Sequence, residues 1–220
     1  MKEALIISLK LASLTTLILL FFSLIIGYIL AFYSFKGKSI VEAIIFMPIL
    51  LPPTVLGFYL IYLFNPESPL GKLFNYFCHK SLLFSFEAIL LASVIYSLPF
   101  GVFPIRDAFQ AVDHRYVEIS YIFGYSKLES FVKVILPLSW GGILTSCALV
   151  FAHTMGEFGV ILMVGGNIPG ETKTLSIYIY DEVQALNYSE ANRASLLLFA
   201  VSLVALSVVS LLRRWKEETL

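Results

Sequence analysis

The chain has 220 residues, of which 59% are hydrophobic and 14% charged, with a mean hydropathy of +0.87. Soluble domains are about 45–50% apolar, so this composition excludes one and places the chain in a membrane. The formal net charge of +0 offers nothing to attract nucleic acid. Cys78 is expected in a loop and Cys147 inside an apolar run, a separation that suits neither a disulfide nor a metal site.

A spanning helix needs roughly 20 predominantly apolar residues. Five stretches meet that need: residues 11–33, 43–64, 84–105, 136–158 and 194–212. The first has no small-residue cleavage site and reads as a retained helix, not a signal peptide. The second contains Pro48, Pro52 and Pro53, which predict a kink close to a cavity, where freed backbone groups can be satisfied. The third carries Glu87 near its start. The stretch Phe158–Gly170 is too short and glycine-rich to cross, and reads as the end of the fourth helix followed by a loop. Leu175–Val183 reads as a short surface helix, and 159–193 as one connecting loop. The expectation is an all-α integral membrane domain covering 1–220.

Positive charge sets the orientation. One set of loops holds Lys36, Lys38, Arg106, Arg115, Lys127, Lys133, Arg213, Arg214 and Lys216. The other holds Lys2, Lys10, Lys72, Lys80, Lys173 and Arg193, spread over longer segments. The denser set is assigned to the cytoplasm. The N-terminus and the 159–193 loop then lie outside, and the C-terminus inside.

Between the third and fourth spans lies a polar segment, 113–137. Asp113 is a good N-cap, and Gly124 supplies the left-handed position that often ends a helix. Ser126 and Glu129 have capping-box spacing, so a second helix starts at once. Pro137 enters the next span. A capped two-helix hairpin on a membrane surface suits a docking partner. Phe123, Leu128, Phe131 and Val132 offer it apolar contacts, and Arg115 and Lys127 offer charge.

The hairpin resembles the EAA loop of ABC importer permeases. That loop runs Glu-Ala-Ala, three residues, Gly, nine residues, Ile-x-Leu-Pro. This chain has Glu118-Ile119-Ser120, Gly124 and Val134-Ile135-Leu136-Pro137 at the same spacing, preceded by Val112-Asp113. It departs at the two alanines and the isoleucine. The runs Gly156-Glu157-Phe158-Gly159 and Gly166–Leu175 are similar to the molybdate and sulfate permease group. Leu51–Tyr59, followed by Pro69-Leu70-Gly71, is closer to its molybdate branch.

The resemblance implies a type I ABC importer permease that moves molybdate, with tungstate, sulfate or thiosulfate as alternatives. It implies a homodimer in the lipid of the cytoplasmic (inner) membrane, with two cytoplasmic ABC ATPases and an external molybdate-binding protein. The chain has no G-x-x-x-x-G-K-[ST] phosphate loop, so ATP and Mg are expected on the partner ATPase and no cofactor on this chain. Asp113, Arg115, Glu118, Ser120, Phe123, Gly124, Ser126, Phe131, Leu136 and Pro137 are then the ATPase-coupling residues.

The pathway is less sharply marked. An oxyanion needs hydrogen-bond donors and exposed backbone that bind loosely enough to release it. Pro52, Pro53, Gly57, Ser146, Thr154, Gly156, Glu157 and Gly159 are the candidates. Glu157 has the wrong sign for an anion, and is read as capping a helix start or pairing with a base across the dimer. His153 reads as a packed helix residue. Asn167, Pro169, Gly170, Thr172 and Thr174 form a turn-rich stretch that could meet the binding protein.

Other classes fit less well. A secondary transporter usually shows internal repeats and ionisable groups at mid-depth, and neither is evident here. An intramembrane enzyme needs a nucleophile with its base, or a metal set. His79, His114 and His153 fall in three separate regions, so no such set assembles. A simple membrane anchor explains the hairpin, but not the prolines of the second span.

Overall fold

The structure is a computed structural model that describes residues 1–217, with side chains described through 212. Arg213, Arg214 and Lys216, counted for orientation, have side chains outside the described residues. Among the described residues the chain is all helical, as its apolar composition requires. The order is α1 (Lys2–Phe32), α2 (Lys38–Leu50), α3 (Pro53–Phe64), α4 (Pro69–Cys78) and α5 (Phe86–Gln110). There follow α6 (His114–Ile122), α7 (Lys127–Ser130), a π-helical turn (Phe131–Ile135) and α8 (Leu136–Leu138). The chain continues as α9 (Trp140–Gly156), α10 (Gly159–Gly165), α11 (Leu175–Gln184) and α12 (Tyr188–Glu217).

Among the described residues three unbroken helices are long and apolar enough to cross a bilayer: α1, α5 and α12 over Tyr188–Leu212. Two further pairs qualify only as broken spans. α2 and α3 bend by 108° at Leu51–Pro52, and the Lys127–Leu138 run bends by 70° into α9. The segment 43–64 is therefore two helices, not one kinked helix. Its cause is local. Pro48 lies inside α2, and Pro52 and Pro53 cap and open α3. A proline removes a backbone donor and clashes with the preceding turn, so two in succession stop the ladder.

The connecting region 159–193 is also more ordered than a loop. Phe158–Gly170 is not a tail of the fourth helix. α9 stops at Glu157, whose backbone is extended, and α10 starts anew at Gly159. α10 packs against α3, so the two short helices form a unit beside the long ones. A Cβ at Gly57 of α3 would lie 2.8 Å from Met163 Sδ, and one at Gly159 would lie 2.9 Å from Pro53 Cβ. Both glycines thus allow close approach between α3 and α10. α11 is a short helix as expected, with Leu175 and Ile177 fully buried on one face and Tyr180 and Val183 exposed on the other. Cys78 closes α4 instead of sitting in a loop.

The centre of the bundle is α1, α5 and α9. At one end Ile7, Leu11, Ile89, Ile161 and Ile177 meet. At the hairpin end Ile105, Phe109, Val112, Ile135 and Ile143 form a second cluster. α12 packs on α9 and α11 and leaves Leu196, Phe199, Leu203 and Val204 more than half exposed, as a lipid-facing helix does.

Candidate functional site

The hairpin is built by its caps. Asp113 accepts from the Arg115 amide at 2.9 Å and starts α6. Gly124, at φ +83°, ends it in the left-handed region. Ser126 then opens α7 with a complete capping box: its hydroxyl accepts from the Glu129 amide, and the Glu129 carboxylate accepts from the Ser126 amide at 2.9 Å. Those bonds to Ser126, with help from Lys133, hold the Glu129 carboxyl below its ordinary value of 4.5.

The two arms are joined internally. Ser120 on α6 is buried and its Oγ lies 2.7 Å from Ser130 Oγ on α7. The apolar tips face outward: Ile122 is 83% exposed, Phe123 77% and Leu128 73%. Arg115 and Glu118 are exposed as well. Phe131 differs from expectation. It packs edge-on against Tyr28 of α1 and Phe109 of α5, at 5.0 and 5.7 Å between ring centres. Leu136 joins the same cluster, and Pro137 is half-buried in α8. These three residues anchor the hairpin to the bundle. The outer tip is left free for a partner.

A second constellation lies between α5 and α9. Glu157 is buried, and its carboxylate accepts from Ser93 at 2.6 Å and from Ser97 at 2.8 Å. His153, one turn earlier, brings Nδ1 to 3.2 Å from the same carboxylate and 2.9 Å from Ser97 Oγ. Ser97 has one proton to give. If that proton serves Glu157, Nδ1 must carry the hydrogen that meets Ser97. The imidazole is held between Phe100 and Tyr96, at 4.4 and 4.9 Å between ring centres. A buried carboxylate is tolerated only when so compensated. Ser176 of α11 also donates to the Glu157 carbonyl, so the break between α9 and α10 is tied to two neighbouring elements.

Residues 23–216 match the model of the binding-protein-dependent transport system inner membrane components. The chain belongs to that family. It is 42% identical over 186 residues to the molybdenum transport system permease protein ModB of Azotobacter vinelandii, covering 84% of this chain and 82% of that one. It is 28% identical over 208 residues to a probable sulfate transport system permease protein of Chlorella vulgaris, covering 94% of this chain and 78% of that one. Among solved structures, an inward-facing MetNI methionine ABC transporter superposes with TM-score 0.74 at 15% identity, covering 97% of this chain and 94% of that one. The fold is therefore that of an ABC importer permease.

Within this permease fold several pathway candidates lie elsewhere than expected. Ser146 is buried and donates to the Gly101 carbonyl at 2.8 Å. Thr154 is buried 3.1 Å from Ser97. Ser146, Val150 and Thr154 do share one face, but that face is packed on α5. In hydrocarbon, hydroxyls find partners on neighbouring helices, and here they hold helices together. Glu157 starts no helix, because Phe158 takes the N-cap position of α10; it closes α9 as its C-cap. Its partners lie in its own chain. Pro52, Pro53 and Gly156 are exposed, and Gly156 has open space around it.

The turn-rich stretch divides in two. Thr172 and Thr174 are buried and cannot meet a partner. Thr172 Oγ1 accepts from the Ile168 amide and donates to the Gly165 carbonyl, closing the turn after α10. Asn167 is half-buried and donates to Asp181, which also pairs with Lys173 at 2.5 Å. Only Pro169 and Gly170 of the five are exposed. Sequence reasoning missed Ser93 and Ser97. Serines four apart, with Gly101 at the same spacing, mark one face of an apolar helix, but nothing in that spacing points to Glu157.

Proposed function

We propose that this chain is the permease subunit of an ATP-driven importer for molybdate. The observation that carries the anion is the 42% identity to a molybdenum permease over most of both chains. The sulfate relative is more distant, at 28%. The hairpin supplies the coupling element. Its caps and the Ser120–Ser130 contact make it stiff, while Ile122 and Phe123 offer an apolar tip.

In this reading two copies of the chain form the pathway at their interface. Two ABC ATPases dock on the cytoplasmic hairpins, and a molybdate-binding protein docks on the opposite side, near Pro169 and Gly170. The N-terminus is outside and the C-terminus cytoplasmic. The ATPases hold ATP and Mg, and this chain performs no hydrolysis of its own. ATP closes the ATPase pair and draws the two hairpins together, which opens the pathway outward. Hydrolysis resets it inward. Pro52, Pro53, Gly156 and Gly159 border the α2–α3 and α9–α10 breaks, where irregular backbone can face an anion. Glu157 sets the position of the second break and does not contact the anion.

The test is co-purification. A tagged chain should bring down an ABC ATPase, and the complex should raise its ATP turnover when the molybdate-loaded binding protein is added. Equal stimulation by the sulfate-loaded counterpart would move the chain to the sulfate branch.

A further inference from the structure

We propose that the groove between α1 and the hairpin seats one anionic phospholipid, with one of its two acyl chains along α1 and its phosphate at Lys127. The cavity measures about 380 Å³ and is walled by Ile25, Tyr28, Ile29 and Tyr33 on one side and by Lys127, Leu128 and Phe131 on the other. That volume lies within the range of built ligand sites, roughly 300–1,000 Å³. Apart from Lys127 and the two phenols, the lining is hydrocarbon or aromatic.

The wall identifies the occupant. Leu17, Phe21, Ile25 and Ile29 are 63, 61, 47 and 42% exposed and recur every four residues on α1. Residues at that spacing share one helix face. The groove is thus the end of an apolar stripe that the rest of the chain leaves uncovered. From Leu17 to Ile29 the stripe rises about 18 Å at roughly 1.5 Å per residue. One leaflet contributes about 15 Å of hydrocarbon, half of a core about 30 Å thick. An acyl chain lying on this stripe ends where the hairpin begins.

The mouth of the groove identifies the headgroup. Lys127 has no ion-pair partner among the described residues. Lys133 is already taken, by Glu129 at 3.4 Å and by the Tyr125 ring at 4.5 Å. Tyr28 and Tyr33, with ring centres 6.1 Å apart, add phenol donors. A free ammonium above an apolar wall at the membrane surface is the chemistry that retains an anionic headgroup. The floor is fixed, because Phe131 is wedged between Tyr28 and Phe109. Lys127 also opens α7, so a lipid held there ties the second arm of the hairpin to the bilayer. This site stands apart from the identity of the transported anion.

The test is native mass spectrometry of the detergent-solubilised permease–ATPase complex, titrated with phosphatidylglycerol or phosphatidylcholine of the same chains. One lysine near a membrane surface is worth about 1 kcal/mol, or about fivefold in affinity. The wild type should retain one phosphatidylglycerol per permease chain, about fivefold more tightly than phosphatidylcholine. Lys127→Gln should abolish that preference. Ile25→Trp should fill the groove and lower retention of both lipids. Equal retention of both lipids by the wild type would overturn the site. So would an unchanged preference in Lys127→Gln, and loss of the ATPase from that variant with the preference intact would assign Lys127 to the ATPase instead.

Discussion

Ser120 Oγ lies 2.7 Å from Ser130 Oγ, and this buried contact joins the two arms of the hairpin across ten residues of chain. The exposed tip, Phe123 to Leu128, moves with both arms only while that contact holds. Ser130→Ala removes one buried hydrogen bond, at a cost of about 1 kcal/mol. The variant should assemble with its ATPase but import fewer anions per ATP. The ratio of uptake to hydrolysis in proteoliposomes measures this. A wild-type ratio would show that the arms need not move as one.

Gly124 is the second rigidity point. Its φ of +83° costs an L side chain about 1–2 kcal/mol, and a β-branched one more. A Cβ there meets nothing within 4 Å, so the penalty comes from the backbone and not from a clash. Gly124→Val should uncouple ATP hydrolysis from uptake, while Gly124→Asn, which tolerates this region, should retain most uptake. If both variants fail equally, the left-handed turn is not what the glycine provides.

The capping box makes the second arm sensitive to acid. The Glu129 carboxyl lies below its ordinary value of 4.5 because it accepts from the Ser126 amide and hydroxyl, and then from Lys133. A lowered folded value means the carboxylate stabilises α7 fully above the ordinary value. That support is lost as pH falls through the lower folded value. The protection of the Lys127–Ser130 amides, taken relative to their intrinsic exchange rates, should therefore be constant from about pH 7 to 5.5 and should fall only below the ordinary carboxyl value of 4.5. Glu129→Gln should flatten the acid dependence. Loss of protection already near pH 6 would point to another group.

The cluster around Glu157 predicts an order of stabilities. Ser97 touches Glu157, His153 and Thr154, whereas Ser93 touches Glu157 alone. Hydrogen bonds to a buried charge contribute about 1.5–3 kcal/mol. Ser97→Ala should lower the melting temperature of the detergent-solubilised complex more than Ser93→Ala. Glu157→Ala should lower it most, because it strands both hydroxyls and the imidazole. The reverse order would mean that the carboxylate is held by groups other than these.

The hairpin was the most legible part of the chain, because its caps are local. Asp113, Gly124, Ser126 and Glu129 each act within about three residues of themselves, so spacing alone reveals their geometry. The prolines of the second span announced a disturbance, but its size was not readable. The prolines stop the ladder locally, but the 108° at which α3 departs goes with its packing on α10, which spacing does not show. The serines were hidden for a related reason. Ser93 and Ser97 acquire meaning only from Glu157, about 60 residues away, and an isolated hydroxyl in an apolar helix ordinarily bonds its own backbone. Thr172 and Thr174 read as polar loop residues because burial of a turn leaves no periodic trace in sequence.

The most direct test of the account is uptake by a strain lacking this chain, with molybdenum, tungsten and sulfate assayed side by side. The account predicts loss of molybdate uptake with sulfate spared, restored by the wild-type chain and not by Gly124→Val. Unimpaired molybdate uptake in the deletion strain would contradict it.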